Sequence, residues 1–178
     1  MNAVARLARR FFGPATLLPA ALRAVVLSAT FSATLACLAC VSGCSTSARL
    51  DTPSGFATLG DDKTFAYRAT SARGVVLAAR AEKNELRANT EFWAESIDLR
   101  LSGAGYVKRS EQAVKSRGGL EGKQLRYTLT RNAREHRYWV TVFVKGDHVV
   151  LVEAAGDTAH FAPAEATVER AIASVRVD

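Results

Sequence analysis

The chain has 178 residues, enough for one domain with additional segments. Its three cysteines, Cys37, Cys40 and Cys44, all lie near the N terminus and none follows, which argues against a disulfide-stapled fold and against thiolate-held zinc in the folded part. The net charge of +7 owes much to Arg6, Arg9, Arg10 and Arg23; without those four, 20 basic residues face 17 acidic ones, so the basic balance reflects targeting rather than nucleic-acid binding.

Residues 1–23 carry those arginines and no acid, and residues 24–43 carry no charge at all. Val41-Ser42-Gly43-Cys44 follows. An aliphatic residue, two small residues and a cysteine resemble the lipobox of bacterial lipoproteins. The small residues admit the chain to a peptidase, and the thiol receives a diacylglycerol. The resemblance implies a signal peptide over 1–43, cleavage between Gly43 and Cys44, and lipid attachment at Cys44. Two or three acyl chains anchor stably, at ~0.8 kcal/mol per buried CH₂. An uncleaved spanning helix is the competing reading, since ~20 apolar residues suffice. The run is nevertheless rich in Ala, Ser and Thr and poor in Leu and Ile. Cys37 and Cys40 precede the cut and count as discarded small residues. Arg9-Arg10-Phe11-Phe12 resembles part of a twin-arginine signal, but an ordinary basic region is simpler because the apolar run begins late. Ser45, rather than Asp, follows the cysteine. In a Gram-negative cell that implies the outer membrane, facing the periplasm.

Residues 44–55 then form the lipidated cysteine and a small, polar, turn-prone stretch, expected to be a flexible tether. A single α+β domain is expected over 56–178. Phe65, Tyr67 and Ala69 alternate with Arg68 and Thr70 as a half-buried strand does, and a turn at residues 71–74 leads to a second strand from Val75 to about Ala81. Thr90 is an N-cap candidate for a helix whose apolar stripe is Trp93, Ile97 and Leu101, with Phe92 and Leu99 beside it. Gly103 and Gly105 end it.

Four strands follow. Tyr106–Gln112 and Leu125–Thr130 are the first two. Residues 136–145 and 148–155, joined by Gly146-Asp147, form a hairpin pairing Lys145 with His148. Both of its faces are apolar, which predicts a central position with cover on each side. A closing helix over 162–174 takes Pro163 in its first turn and buries Val168, Ala171, Ile172 and Val175. The fold class is α+β: an antiparallel sheet of about six strands covered by two helices. This element order, with segments such as TFAYRATSARGVVLAAR and RYWVTVFV, resembles the PsbP-like α/β/α sandwich over about residues 53–177. The resemblance implies a binding or assembly factor, and it carries over no functional residue.

Candidate chemistry is sparse. His136, His148 and His160 are spaced by twelve, but the hairpin holds His148 ~30 Å from His136 at ~3.3 Å per residue. His136 and His160 meet only if the last helix folds back over the strand end. Mature cysteine chemistry is closed once Cys44 is acylated, and no nucleophile elbow, P-loop or dinucleotide turn is present. Glu153 is a carboxylate on a central strand and needs a cationic partner, with Arg137 or another strand-borne base expected. No cofactor or metal is expected.

Residues 106–137 hold nine cations against Glu111, Glu121 and Glu135. They suggest a basic face for anionic lipid or an acidic protein partner, against the alternative of a solvated sheet edge guarded by Lys and Arg. Nucleic acid is not expected. The sequence thus points to a membrane-anchored envelope module that binds or assembles without catalysis. The competing reading is an envelope hydrolase or lyase using Tyr106, His136, Glu153 and His160. A purely structural lipoprotein is the third.

Overall fold

Residues 134–145 and 148–157 pair across a two-residue turn, and the rest of the sheet grows outward from that hairpin. The computed structural model describes residues 48–60 and 64–177. The elements are β1 (Ala48–Arg49), β2 (Phe56–Thr58), β3 (Tyr67–Ser71), β4 (Val76–Lys83), α1 (Thr90–Gly103), β5 (Val107–Lys115), β6 (Glu121–Arg131), β7 (Arg134–Lys145), β8 (His148–Asp157), α2 (Thr158–Ala173) and β9 (Arg176–Val177). Seven strands form one antiparallel sheet in the order β2-β3-β4-β8-β7-β6-β5, and β1 pairs with β9 in a separate two-stranded ribbon.

The hairpin has the register its sequence requires. Lys145 pairs with His148, Val144 with Val149, Phe143 with Val150 and Val142 with Leu151. Val140, Val142, Phe143 and the run Val149–Val152 are all buried. Fully burying each such side chain contributes ~1.5–3 kcal/mol. Period-2 alternation sends these residues to both faces, so each face needs its own cover. On one face α2 buries Phe161, Val168, Ala171 and Ile172 against Leu77, Ala79, Trp139, Phe143, Val150 and Val152. On the other, α1 buries Trp93, Ala94, Ile97 and Leu101 and packs over β5, β6 and β7. The result is an α/β/α sandwich with β7 beneath both helices.

Several boundaries differ from the sequence reading, each for a local reason. The sheet has seven strands, not about six, because three residues at Phe56–Thr58 add an edge beside β3. α1 is capped by Asn89, not Thr90; the Asn89 side chain accepts from Phe92 N at 2.9 Å. Phe92 and Leu99 are exposed beside its buried stripe. α2 starts at Thr158, four residues early, because β8 runs straight into it and Asp157 caps it by accepting from Ala159 N at 2.9 Å. Pro163 therefore lies inside the helix, not in its first turn. The expected tether is also too long. Ala48 is fully buried against the core and pairs with Val177, and Leu50 is buried. Asp51 accepts from Arg117 and Arg176, so the fold begins by Ala48. The signal peptide, Gly43, Cys44 and residues 45–47 lie outside the described residues.

Two turn and contact positions are decided by backbone geometry. Gly122 lies under the Phe143 ring across the β6–β7 pair, and a Cβ there would stand 2.4 Å from Phe143 Cδ1 and 2.7 Å from the Val142 carbonyl oxygen. Asn132 and Ala133 form the β6–β7 turn with φ of 51° and 57°. Both angles are left-handed, as two-residue hairpin turns prefer, but an alanine pays strain there that glycine does not. Gly122→Ala should destabilise by about 2 kcal/mol or more in denaturant unfolding. Ala133→Gly should stabilise by about 0.5–1 kcal/mol. Equal midpoints for either variant and wild type would contradict the corresponding geometry.

Candidate binding cleft

The ends of β6, β7 and β8, the β3–β4 turn and the start of α2 meet at one end of the sandwich. They enclose a cleft of about 590 Å³. Its floor and walls include Val76, Tyr106, Leu129, Tyr138 and Ala155. The Tyr106 ring lies 5.3 Å from that of Tyr138 and 6.3 Å, edge-on, from that of Tyr127. Around this aromatic floor stand Arg73, Arg131, Arg134, His136 and His160. Arg137 also borders the cleft, but its guanidinium donates to Glu165 at 2.7 Å. Among the described residues, Asp157 is the one acid lining the cleft, and it is engaged as the α2 cap.

The structure thus brings together three of the four polar residues singled out in sequence, Tyr106, His136 and His160. His136 is opposite Asp157 in the β7–β8 register, so the last helix does return over the strand end. His148 is at the far turn, where Nδ1 lies 2.8 Å from Asp147. Glu153 stands apart, behind Tyr138. Its partner is Arg80 on β4 at 2.9 Å, not Arg137, which projects from the opposite face of the sheet. The contact with Arg80 is one of charge rather than a well-aligned hydrogen bond. The other Glu153 oxygen accepts from the Tyr138 hydroxyl at 3.0 Å. Burial first, and the neighbouring Glu153 charge second, hold the Tyr138 phenol well above its ordinary pKa, so it serves as a fixed donor. A carboxylate held in this way is a structural element of the sheet. Arg73 and Tyr138 were not anticipated. Arg131 and Arg134 flank Asn132-Ala133, where asparagine is a turn former but alanine in place of the usual glycine conceals the two-residue turn that juxtaposes them.

The nine cations of residues 106–137 do not form one basic face. Seven have acidic partners contributed from both sides of the sheet. Lys108 meets Asp98 at 2.7 Å, Arg109 meets Glu135, Lys115 meets Glu121 and Arg117 meets Asp51. Lys123 meets Glu111 at 2.9 Å and Arg137 meets Glu165. Arg126 bridges Glu165 and Glu169 while its guanidinium stacks 3.9 Å from the Trp139 ring centre. Of these groups, Arg109, Arg126, Arg137, Glu135 and Glu165 line a second groove of about 440 Å³ beside α2. β5, which carries Lys108, Arg109 and Lys115, is the outer edge of the sheet, where charge discourages pairing with another chain.

A polar knot ties α1 to the sheet. Asp98 accepts from Lys108 at 2.7 Å and from the buried-ring Tyr127 hydroxyl at 2.9 Å. Burial works to raise the Asp98 pKa, but these donors, with Ser102, outweigh it and hold the carboxyl below its ordinary value of 3.8. Lys123 and Lys108 likewise lower Glu111, whose ordinary value is 4.5.

No family model matches the sequence, and no curated protein matches it. Its fold is shared with solved structures. The chain is similar to LpqN, described as involved in cell envelope biogenesis of Mycobacterium tuberculosis, with a TM-score of 0.59 and 11% identity over 75% of this chain and 84% of that one. It is also similar to the cyanobacterial PsbP protein CyanoP of Synechocystis sp. PCC 6803, with a TM-score of 0.52 and 10% identity over 81% of this chain and 99% of that one. The architecture is therefore the PsbP-like α/β/α sandwich that the element order suggested.

The Asp98 knot has a pH signature. A carboxyl with a depressed folded pKa adds stability above its unfolded value and loses it as pH falls through the folded one. Thermal midpoints should thus be level above about pH 5 and fall below the ordinary carboxyl values of 3.8 and 4.5. Asp98→Asn should lower the neutral-pH midpoint and flatten that acid limb. An unchanged acid limb in the variant would assign the loss to other groups.

Proposed function

We propose that the protein is a lipid-anchored module of the bacterial cell envelope that binds a ligand or partner in this cleft and performs no chemistry there. The observation that carries the reading is the cleft itself: cations with no acidic partner among the described residues stand over an aromatic floor. Elsewhere in the 106–137 segment, each cation has an acid within 3.5 Å. Uncompensated charge of this kind costs stability, which fits a site kept for a ligand. Val41-Ser42-Gly43-Cys44 supports anchoring through Cys44, to the outer membrane facing the periplasm in a Gram-negative cell. The fold shared with LpqN, an envelope-biogenesis protein, supports the same address.

The competing reading, an envelope hydrolase or lyase, acquires a definite location because Tyr106, His136 and His160 line the same cleft. Among the described residues, the carboxylates nearest this site are engaged elsewhere: Glu153 is bound to Arg80 and Tyr138, and Asp157 caps α2. Binding is therefore favoured. Radiolabelled palmitate should enter the wild-type chain, and mass spectrometry should find acylated Cys44 as the first residue. Cys44→Ser should abolish both labelling and cleavage. An unlabelled wild-type protein that starts at Met1 would overturn the anchor.

A further inference from the structure

The β6–β7 register sets Arg131 directly opposite Arg134, both on the face that carries Tyr138 and Leu129. Like charges at opposed positions in an antiparallel pair repel and destabilise it. Among the described residues, neither arginine makes an ion pair or a side-chain hydrogen bond, and the same holds for Arg73, which reaches the cleft from the β3–β4 turn. Three guanidiniums therefore stand against one carboxylate, Asp157, and that carboxylate already accepts from Ala159 N. With Arg137 set aside as the partner of Glu165, and with both histidines neutral, the lining carries a net charge of +2.

We propose that this cleft is a site for an organic phosphate whose non-phosphate part is apolar. A phosphate monoester carries roughly −1.5 to −2 at neutral pH, which meets the unbalanced charge where a single carboxylate does not. Guanidinium forks match phosphate oxygens in paired, planar hydrogen bonds. Tyr106, Leu129 and Tyr138 form a surface on which an acyl or aromatic body rests, and the cleft volume of about 590 Å³ falls in the range of small-molecule sites. Arg131 and Arg134 are both exposed at the hairpin tip, so the phosphate lies at the rim and the apolar part points inward. This inference rests on the cleft being the binding site, but not on the lipid anchor.

The test is calorimetric titration of the full-chain protein, held in zwitterionic nanodiscs if it is recovered with membranes. The probes are hexyl phosphate, phenyl phosphate and inorganic phosphate. At least one organic phosphate should bind about ten-fold or more tightly than inorganic phosphate, and binding should weaken as salt rises. Preference for hexyl phosphate marks a lipid-derived ligand and preference for phenyl phosphate a soluble aromatic one, and either supports the site. The double variant Arg131→Gln with Arg134→Gln should lose about ten-fold or more in affinity, the cost of removed charge-assisted hydrogen bonds. Its thermal midpoint should match or exceed that of wild type, since a repulsion is relieved. Lys115→Gln, which removes one exposed charge at the opposite end of β5, should leave affinity unchanged. Absence of binding by every probe, equal affinity for inorganic phosphate, or undiminished binding in the double variant would overturn the proposal. Palmitate labelling and membrane recovery are read independently, so failure here leaves the anchored-module reading to stand or fall on its own.

Discussion

A pair of strands that is apolar on both faces cannot lie at a surface, and the β7–β8 hairpin imposes that condition on the whole molecule. Valine, leucine and phenylalanine alternate to both sides, and water has to be removed from each. One helix cannot cover two faces. α1 covers one and α2 the other, while β4 and β6 flank the pair and the outer strands carry the charge. The buried Gly122 belongs to the same packing, because the Phe143 ring occupies the space its side chain would need.

Polar groups are placed where this packing leaves room for them. Inside the sheet, Gln124 bonds Thr141 at 3.2 Å, and Arg80 and Glu153 meet close to Tyr138, so charge is tolerated there only in company. Along the flanks, arginines and lysines are met by acids from α1, α2 and neighbouring strands. The exception is at the strand ends above the aromatic floor, where the β3–β4 and β6–β7 turns border the cleft.

Much of the architecture could be read in advance. The 148–157 strand and its partner declared themselves through continuous apolar runs around Gly146-Asp147, and even their register followed from the shortest turn. The helical stripes Trp93-Ile97-Leu101 and Val168-Ala171-Ile172 were equally plain, because a repeat of three and four is hard to mistake. The start of α2 was obscured, since Asp157 ends a strand and caps a helix in one residue, leaving no loop to mark the change. β1 was hidden for a different reason. Two residues with one buried alanine carry no periodicity, and the pairing to Val177 spans nearly the whole described chain. The cleft was half visible: three of its residues attracted attention as unusual polar positions, but the meaning of Arg131 and Arg134 depends on a turn whose alanine disguises it.

The β1–β9 ribbon also sets the posture of the domain. The chain enters at Ala48 beside Val177, whose carbonyl accepts from Lys145 Nζ at 2.6 Å, and so beside the β7–β8 turn. The cleft opens at the other end of those strands, ~30 Å away. If the chain is anchored through Cys44 as proposed, four residues give a stem of at most ~14 Å. So short a leash would hold the turn end against the bilayer and lift the cleft outward, like a cup held upright on a low stalk. Cargo would then arrive from the aqueous side, and a lipid from the supporting leaflet would have to leave its neighbours before it could be taken up.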